Sequence, residues 1–184
     1  MQVPSRYASH ETLRDNTTVT VRSARADDGP RIRRAFHHLK RDTVYSRFFG
    51  YKADLSEAEL TRITAADFDR VVALLVTVGA AEDEVVIGGA SYIVLDTAAP
   101  PQSAELAFLI EEDYQGRGLA SALLRHMIQI GRTKDLDQFE ADVLAQNLAM
   151  LRVFRQSGLP IRQRQSGNIV HVVLSLGGAW SRGV

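Results

Sequence analysis

The chain has 184 residues, no cysteine, and 22 basic residues that balance 22 acidic ones. This length predicts a single domain with one sizeable hydrophobic core. The absence of cysteine excludes disulfides, thiolate catalysis and cysteine-ligated zinc, and the balanced charge gives no reason to expect nucleic acid or an anionic membrane as a partner.

The N-terminal residues predict a flexible arm ahead of the folded domain. Residues 1–17 are polar, carry few large apolar groups and lack the apolar segment of an export signal. No stretch of about 18 apolar residues occurs anywhere, so we expect a cytoplasmic protein. Val19 and Val21 alternate with polar neighbours as in a strand, and the domain is expected to span residues 18–176.

Two helices are predicted after this strand. Asp27 or Asp28 provides a cap for the first helix, which has Pro30 in its opening turn and an apolar stripe on one face. Ser56 and Glu59 have the spacing of a capping box, which predicts the start of the second helix. Both patterns are typical of helices that bury one face.

Three apolar runs then predict three strands. They cover residues 71–78, 85–95 and 104–110, and they are separated by an acidic turn and by Pro100 and Pro101. Successive strands joined in this way pair readily as an antiparallel meander.

The last third of the chain alternates helix and strand. A helix begins near Leu119, a strand covers 139–144, a helix capped by Asn147 ends at Gly158, and a strand covers 169–176. Residues 177–184 are expected to be a frayed tail. The whole order predicts an α/β domain with one mixed sheet and helices on both faces.

The segment between the third strand of the meander and the next helix is typical of a phosphate-binding loop. Gly116 and Gly118 let the main chain approach an anion, and the helix that follows points unpaired N–H groups at it. A glycine-rich helix start without a ligand is the plain alternative. A dinucleotide-binding fingerprint is disfavoured, because a meander precedes the loop where that fold has a parallel unit.

Two motifs resemble the GNAT superfamily of acyl-CoA-dependent N-acyltransferases. Residues 115–120, Gln-Gly-Arg-Gly-Leu-Ala, match the pyrophosphate signature of that family, and residues 147–159 match its later helix motif. Residues 44–49, 67–70 and 104–108 look like the acetyltransferase domain of bacterial protein lysine acetyltransferases. The resemblance implies a GNAT-like mixed, mostly antiparallel sheet of six to seven strands and a reaction that uses acetyl-CoA.

Glu105 is the candidate general base. An amine with a pKa near 10.4 has only about 1 molecule in 2500 neutral at pH 7, so a group that removes its proton speeds the reaction. A carboxylate in a mostly apolar strand is expected to be desolvated, and the resemblance implies that Glu105 acts through a bound water. The alternative is an edge-strand glutamate that faces solvent.

The remaining candidate residues are assigned to acetyl-CoA. Backbone N–H groups near Leu109 and Ile110 are expected to bind the thioester oxygen, and the resemblance implies that the pantetheine arm lies along the same strand. The residues assigned to the phosphates are Gln115, Gly116, Arg117, Gly118, Leu119, Ala120 and Ser121. Arg117 either pairs with a phosphate or is a solvated arginine at a helix end.

Asn147 is a helix cap, and the resemblance adds a contact with CoA. Phe154 stands where many members of the family have a tyrosine that protonates the leaving thiolate, and it is also a plausible core aromatic. Because a thiol with a pKa of about 8.5 leaves readily as a thiolate, a dedicated acid is not obligatory.

These residues predict transfer of an acetyl group to a primary amine, best a protein lysine. A small amine such as a polyamine, an aminoglycoside or an amino acid is the second candidate acceptor, and a non-catalytic sensor of acetyl-CoA is the third function. No metal is expected, because His37 and His38 have no partner at helical spacing. The sequence leaves open a homodimer and a longer acyl donor.

Overall fold

The computed structural model describes residues 7–96 and 98–177. The strands are β1 Ala8–Thr12, β2 Thr18–Ser23, β3 Val71–Val78, β4 Val85–Val94, β5 Ser103–Ile110, β6 Gln138–Leu144, β7 Ile161–Ser166 and β8 Ile169–Ser175. The helices are α1 Gly29–His38, α2 Arg41–Phe48, α3 Glu57–Thr64, α4 Leu119–Thr133 and α5 Leu148–Arg155. All eight strands form one sheet in the order β1-β2-β3-β4-β5-β6-β8-β7.

Helices cover both faces of this sheet, as the element order predicts. In β3, Leu74 packs into a core that includes α4 and α5, whereas its neighbour Leu75 packs into a second core with α1, α2 and α3. Neighbouring side chains of a strand point to opposite faces, so a strand buried on both sides reads as a continuous apolar run. The predicted meander is confirmed, because β3, β4 and β5 pair antiparallel in chain order.

The sheet has eight strands, and the expected six to seven were too few. One missed strand is β7, whose residues are exposed except for a half-buried Ile161. The sequence of β7 has no alternation of apolar and polar residues and therefore does not predict a strand. The segment is a strand because it pairs with β8.

The other missed strand, β1, lies within the segment expected to be a flexible arm. β1 pairs antiparallel with β2, and the fold therefore begins before residue 18. Two side chains hold β1 to α4: the hydroxyl of Tyr7, which precedes β1, and the carboxylate of Glu11 in β1 both bind the His126 ring, with 2.9 Å from Glu11 Oε1 to Nε2. Burial lowers the pKa of His126, against the opposing charge of Glu11. Residues 1–6 of the arm, and 178–184 of the expected frayed tail, lie outside the described residues.

The predicted cap of α1 is also corrected. Asp28 immediately precedes this helix, but its side chain makes no capping hydrogen bond to it. Its carboxylate instead accepts from the Arg25 N–H at 2.7 Å and from the buried guanidinium of Arg22 at 2.7 and 2.8 Å. Asp28 thus caps the short 3-10 turn Ala26–Asp28 and pairs with β2, and its oxygens are not directed at the N–H groups of α1.

The parallel pairing of β5 and β6 is short, and the candidate site lies where this pairing ends. Only three residues of each strand pair, from Ser103 opposite Gln138 to Glu105 opposite Glu140. Beyond Glu105 the two strands separate while β5 stays paired with β4 through Ile110. One edge of β5 therefore becomes accessible inside the sheet.

Candidate active site

A cleft of about 840 Å³ opens where β5 and β6 separate. Within β5, Ser103 O accepts from Leu95 N–H and Glu111 N–H donates to Ile87 O, so the backbone groups of odd-numbered residues face β4. By the alternation of a strand, the backbone groups of even-numbered residues face the cleft. The N–H of Ile110 is therefore a donor toward the cleft, whereas that of Leu109 is directed at β4.

The side chain of Glu105 projects from the other face of β5. Ala104 and Leu106 pack in the core on the α4 and α5 side, and Leu109 packs against the core on the α1 to α3 side. Glu105 shares the parity of Leu109 and lies at the point where the β5–β6 pairing ends. Its side chain therefore lies on the α1 to α3 face of β5, at the end of the strand edge whose N–H groups face the cleft.

The expected desolvation of Glu105 is not seen, because its side chain is exposed. It borders both the large cleft and a second cavity of about 330 Å³, which is mostly apolar and lies under α1 and α3. Arg47 from α2 borders the same two cavities. Burial lowers the pKa of the Arg47 guanidinium, and the negative charges of Glu105 and Glu59 oppose that shift. A carboxylate and a cation thus both border the two cavities.

The glycine loop has the backbone conformation that its sequence predicts. Gly116 has φ +72° and Gly118 has φ +91°, both in the left-handed region that favours glycine. The first hydrogen bond of α4 runs from Ala122 N–H to Gly118 O, at 3.0 Å. The N–H groups of residues 119–121 consequently have no partner inside the helix and are free to bind an anion.

Gln115 has a structural contact that the motif alone does not show. Its Nε2 donates to the carbonyl of Ile110 at 2.9 Å, and it lies 3.4 Å from Thr43 Oγ1 of α2. The N–H of Lys40, which precedes α2, donates to Glu112 at 2.8 Å. These bonds fix the end of β5, the loop and α2 relative to one another.

The helix motif supplies the opposite wall of the cleft. Asn147 Oδ1 accepts from Met150 N–H at 3.1 Å, so the predicted cap of α5 is confirmed. Phe154 is 1 % exposed, and its ring meets that of Phe108 edge to face with centroids 6.0 Å apart. Phe154 is therefore a packed aromatic residue that also borders the cleft.

Nearly all of the predicted site residues border the large cleft. They are Glu105, Leu109, Ile110, Gln115, Gly116, Gly118, Leu119, Ala120, Ser121, Asn147 and Phe154. Arg117 is the exception: its guanidinium pairs with Asp15 at 2.5 Å and lies over the Tyr114 ring.

Three arginines at the cleft were missed by the sequence reasoning. Arg14 comes from the turn between β1 and β2, Arg47 comes from α2, and Arg152 comes from α5. Arg47 and Arg152 lie within residues 44–49 and 147–159, but the resemblance assigned no role to either, and Arg14 lies outside every motif. Arg14 could have been placed near the cleft only by predicting that β1 pairs with β2. The polar sequence of β1 does not predict a strand there.

Over residues 7–96 and 98–177, no group of three or more His, Cys, Asp or Glu side chains is arranged to hold a metal ion. Within the same residues, no helix combines the length and the apolar character needed to cross a membrane.

A mixed sheet split between β5 and β6, with a glycine loop at the start of the following helix, defines the acyl-CoA-dependent acyltransferase fold. The model of the Acetyltransferase (GNAT) family matches residues 35–159, and the chain belongs to this family.

Relatives support the same assignment. An acetyltransferase of Pseudomonas aeruginosa is 29 % identical over 140 residues, which are 76 % of this chain and 74 % of that protein. A 55-residue match to the acetyltransferase Pat of Mycolicibacterium smegmatis is 38 % identical and spans 30 % of this chain and 16 % of Pat.

The solved structures agree with the predicted fold class. The GNAT domain of S. lividans PAT matches with a TM-score of 0.82 and 31 % identity, covering 91 % of this chain and 96 % of that domain. This match confirms the resemblance seen at residues 44–49, 67–70 and 104–108. A spermidine N-acetyltransferase from Vibrio cholerae, solved with CoA and spermine, has a TM-score of 0.63 at 16 % identity, covers 86 % and 95 %, and shares the fold.

Proposed function

We propose that this acetyltransferase moves the acetyl group of acetyl-CoA directly to a primary amine, and that the acceptor is a protein lysine. The observation that carries the proposal is the separation of β5 from β6 beyond Glu105. It leaves one edge of β5 facing a cleft that leads from the proposed base to the glycine loop. The predicted residues thus line the part of the cleft that CoA would occupy between its thioester and its diphosphate.

The reaction needs three events, and each has a group in place. The lone pair of the neutral amine attacks the thioester carbon, and the N–H of Ile110 on the cleft edge stabilises the negative charge on the carbonyl oxygen. The C–S bond then breaks and its electron pair leaves on sulfur as the CoA thiolate. The proton lost by the amine passes to Glu105, through water, and then to solvent.

Exposure of Glu105 suits a base that works through water. The Glu105 carboxylate is exposed and therefore exchanges protons with solvent freely. The amine must be in its neutral form when it attacks the thioester. Burial lowers the pKa of the nearby Arg47 guanidinium, whereas the negative charges of Glu105 and Glu59 act in the opposite direction.

The acceptor is proposed from the match to the S. lividans PAT domain together with the accessible position of Glu105. A small amine is the second candidate, and the 330 Å³ cavity next to Glu105 favours it because that space holds a small molecule without a peptide. A sensor of acetyl-CoA without turnover is favoured by Phe154, which has no proton to donate to the thiolate.

Steady-state transfer to a panel of lysine peptides and a panel of small amines separates the two acceptors. We expect Glu105→Gln to lower kcat by about 10² to 10⁴ while the KM for acetyl-CoA stays the same. The deficit should shrink as pH rises toward the amine pKa, because less proton removal is then required. Glu140→Gln is the matched control, since it removes the same charge from the register partner on β6 and Glu140 borders neither cavity.

The outcomes are distinct. If wild-type protein binds acetyl-CoA but transfers to no amine, the sensor replaces the enzyme. If Glu105→Gln and Glu140→Gln lose activity equally, the base is assigned to the wrong residue.

A further inference from the structure

Arg14 lies directly against the glycine loop. Its backbone N–H donates to the carbonyl of Arg117 at 3.1 Å. A Cβ built on Gly118 would lie 3.4 Å from Arg14 Nε and 3.6 Å from Arg14 Cγ. The Arg14 side chain thus packs over Gly118, the residue that precedes α4.

The charges at this loop are divided between two arginines in an unexpected way. Arg117, the arginine of the motif, is neutralised by Asp15 and borders no part of the large cleft. Arg14 is exposed, borders the cleft and has no carboxylate partner among the described residues. Of the two arginines at the glycine loop, Arg14 is therefore the cation available to a ligand.

The turn that carries Arg14 is held in place from two sides. The Arg117–Asp15 pair ties it to the loop, and the contacts of Tyr7 and Glu11 with His126 tie β1 to α4. A guanidinium anchored in this way loses less conformational freedom when it binds an anion than one on a loose arm would.

We propose that Arg14 binds the diphosphate of CoA, so that the β1–β2 turn is a third part of the donor site beside the glycine loop and α4. This rests on the proposed use of acetyl-CoA. The diphosphate needs donors for two charged groups, and three N–H groups at a helix end provide only partial positive charge. The planar fork of an arginine supplies a full charge and two parallel hydrogen bonds. Arg117 then acts as a positioning residue that holds the turn.

The position of Arg14 over Gly118 selects the diphosphate rather than the 3′-phosphate of CoA. The test is calorimetric titration of the full chain with CoA, with dephospho-CoA, which lacks the 3′-phosphate, and with pantetheine, which lacks all phosphates. For Arg14→Gln we expect a Kd about 10-fold higher for CoA and dephospho-CoA alike, as for loss of one hydrogen-bonded charge, and no change for pantetheine. Arg14→Lys should recover part of the loss, because it keeps the charge without the fork.

Arg34→Gln is the matched control, since Arg34 is exposed on α1 and borders neither cavity. The melting temperature of each variant without ligand shows that the fold is intact. If wild type binds CoA and transfers acetyl groups while Arg14→Gln binds as tightly as wild type, the inference is wrong and the proposed function stands. A loss confined to CoA, with dephospho-CoA unaffected, overturns the diphosphate assignment. Absence of CoA binding by wild type refutes the proposed function itself.

Discussion

A buried cluster of three charged residues provides a prediction whose size follows from the structure. The guanidinium of Arg22 in β2 is 2 % exposed and lies between Asp28, ahead of α1, and Glu84, ahead of β4. Its Nε donates to Glu84 Oε1 at 2.8 Å, and its Nη2 donates to Glu84 Oε2 at 2.9 Å. The cluster joins the sheet to the segment that leads into α1, on the face that Glu105 occupies.

Glu84→Gln removes one carboxylate from this cluster. Hydrogen bonding from Arg22 is the largest cause that lowers the pKa of Glu84 to about 2, against an ordinary value of 4.5. At about 1.4 kcal/mol for each pKa unit, the ionised form contributes about 3 kcal/mol to the free energy of unfolding. Because the folded-state pKa is the lower one, this stability is present above pH 4.5 and is lost as pH falls toward 2.

Urea unfolding at two pH values measures the effect. We expect Glu84→Gln to lower the free energy of unfolding by about 3 kcal/mol at pH 7 but by only about 1 kcal/mol at pH 3, where most of the linkage is already lost. Glu82→Gln, an exposed change in the same turn, should be neutral at both. A Glu84→Gln deficit of equal size at both pH values would refute the electrostatic origin and leave packing as the cause.

Two further predictions concern the elements that border the cleft. Gly118→Ala should destabilise the fold by about 1 to 3 kcal/mol and weaken CoA binding several-fold, because an alanine at φ +91° is strained and its Cβ approaches Arg14. Urea unfolding measures the loss of stability and calorimetry measures the loss of CoA affinity. Gly29→Ala is the control that should be neutral, because Gly29 has φ −47° and open space around it. Asn147→Ala should cost about 1 kcal/mol in urea unfolding by removing the cap on Met150 N–H, whereas Asn147→Ser should recover most of that loss. Equal losses for both Asn147 variants would show that the cap is not the cause.

Local patterns predicted the elements whose order comes from their own residues. The capping box of Ser56 and Glu59 is present in both directions, at 3.3 and 2.8 Å, and α3 begins where it predicts. The left-handed glycines of the loop follow from the same kind of short-range requirement, since only glycine adopts that conformation without strain.

Features that depend on distant contacts were not predictable in this way. The strand β1 has a polar sequence, and it is ordered by pairing with β2 and by the ring of His126, more than 110 residues away. The exposure of Glu105 depends on where β5 and β6 separate, which its apolar neighbours in sequence do not report. The partnership of Arg117 with Asp15 likewise joins two segments 102 residues apart.

The donor and the acceptor are proposed to approach β5 from different sides, because backbone groups lie at the edge of a strand and side chains lie on its faces. The edge of β5 from residue 106 onward presents backbone groups to the cleft, while Glu105 projects toward α1, α2 and α3. In the proposed reaction, donor binding depends on the glycine loop, α4 and the β1–β2 turn, and acceptor access depends on the helices on the α1 to α3 face of the sheet. Because the 330 Å³ cavity lies on that face, changes at its lining residues from α1 and α3, which do not border the large cleft, should alter which amine is accepted without altering affinity for CoA.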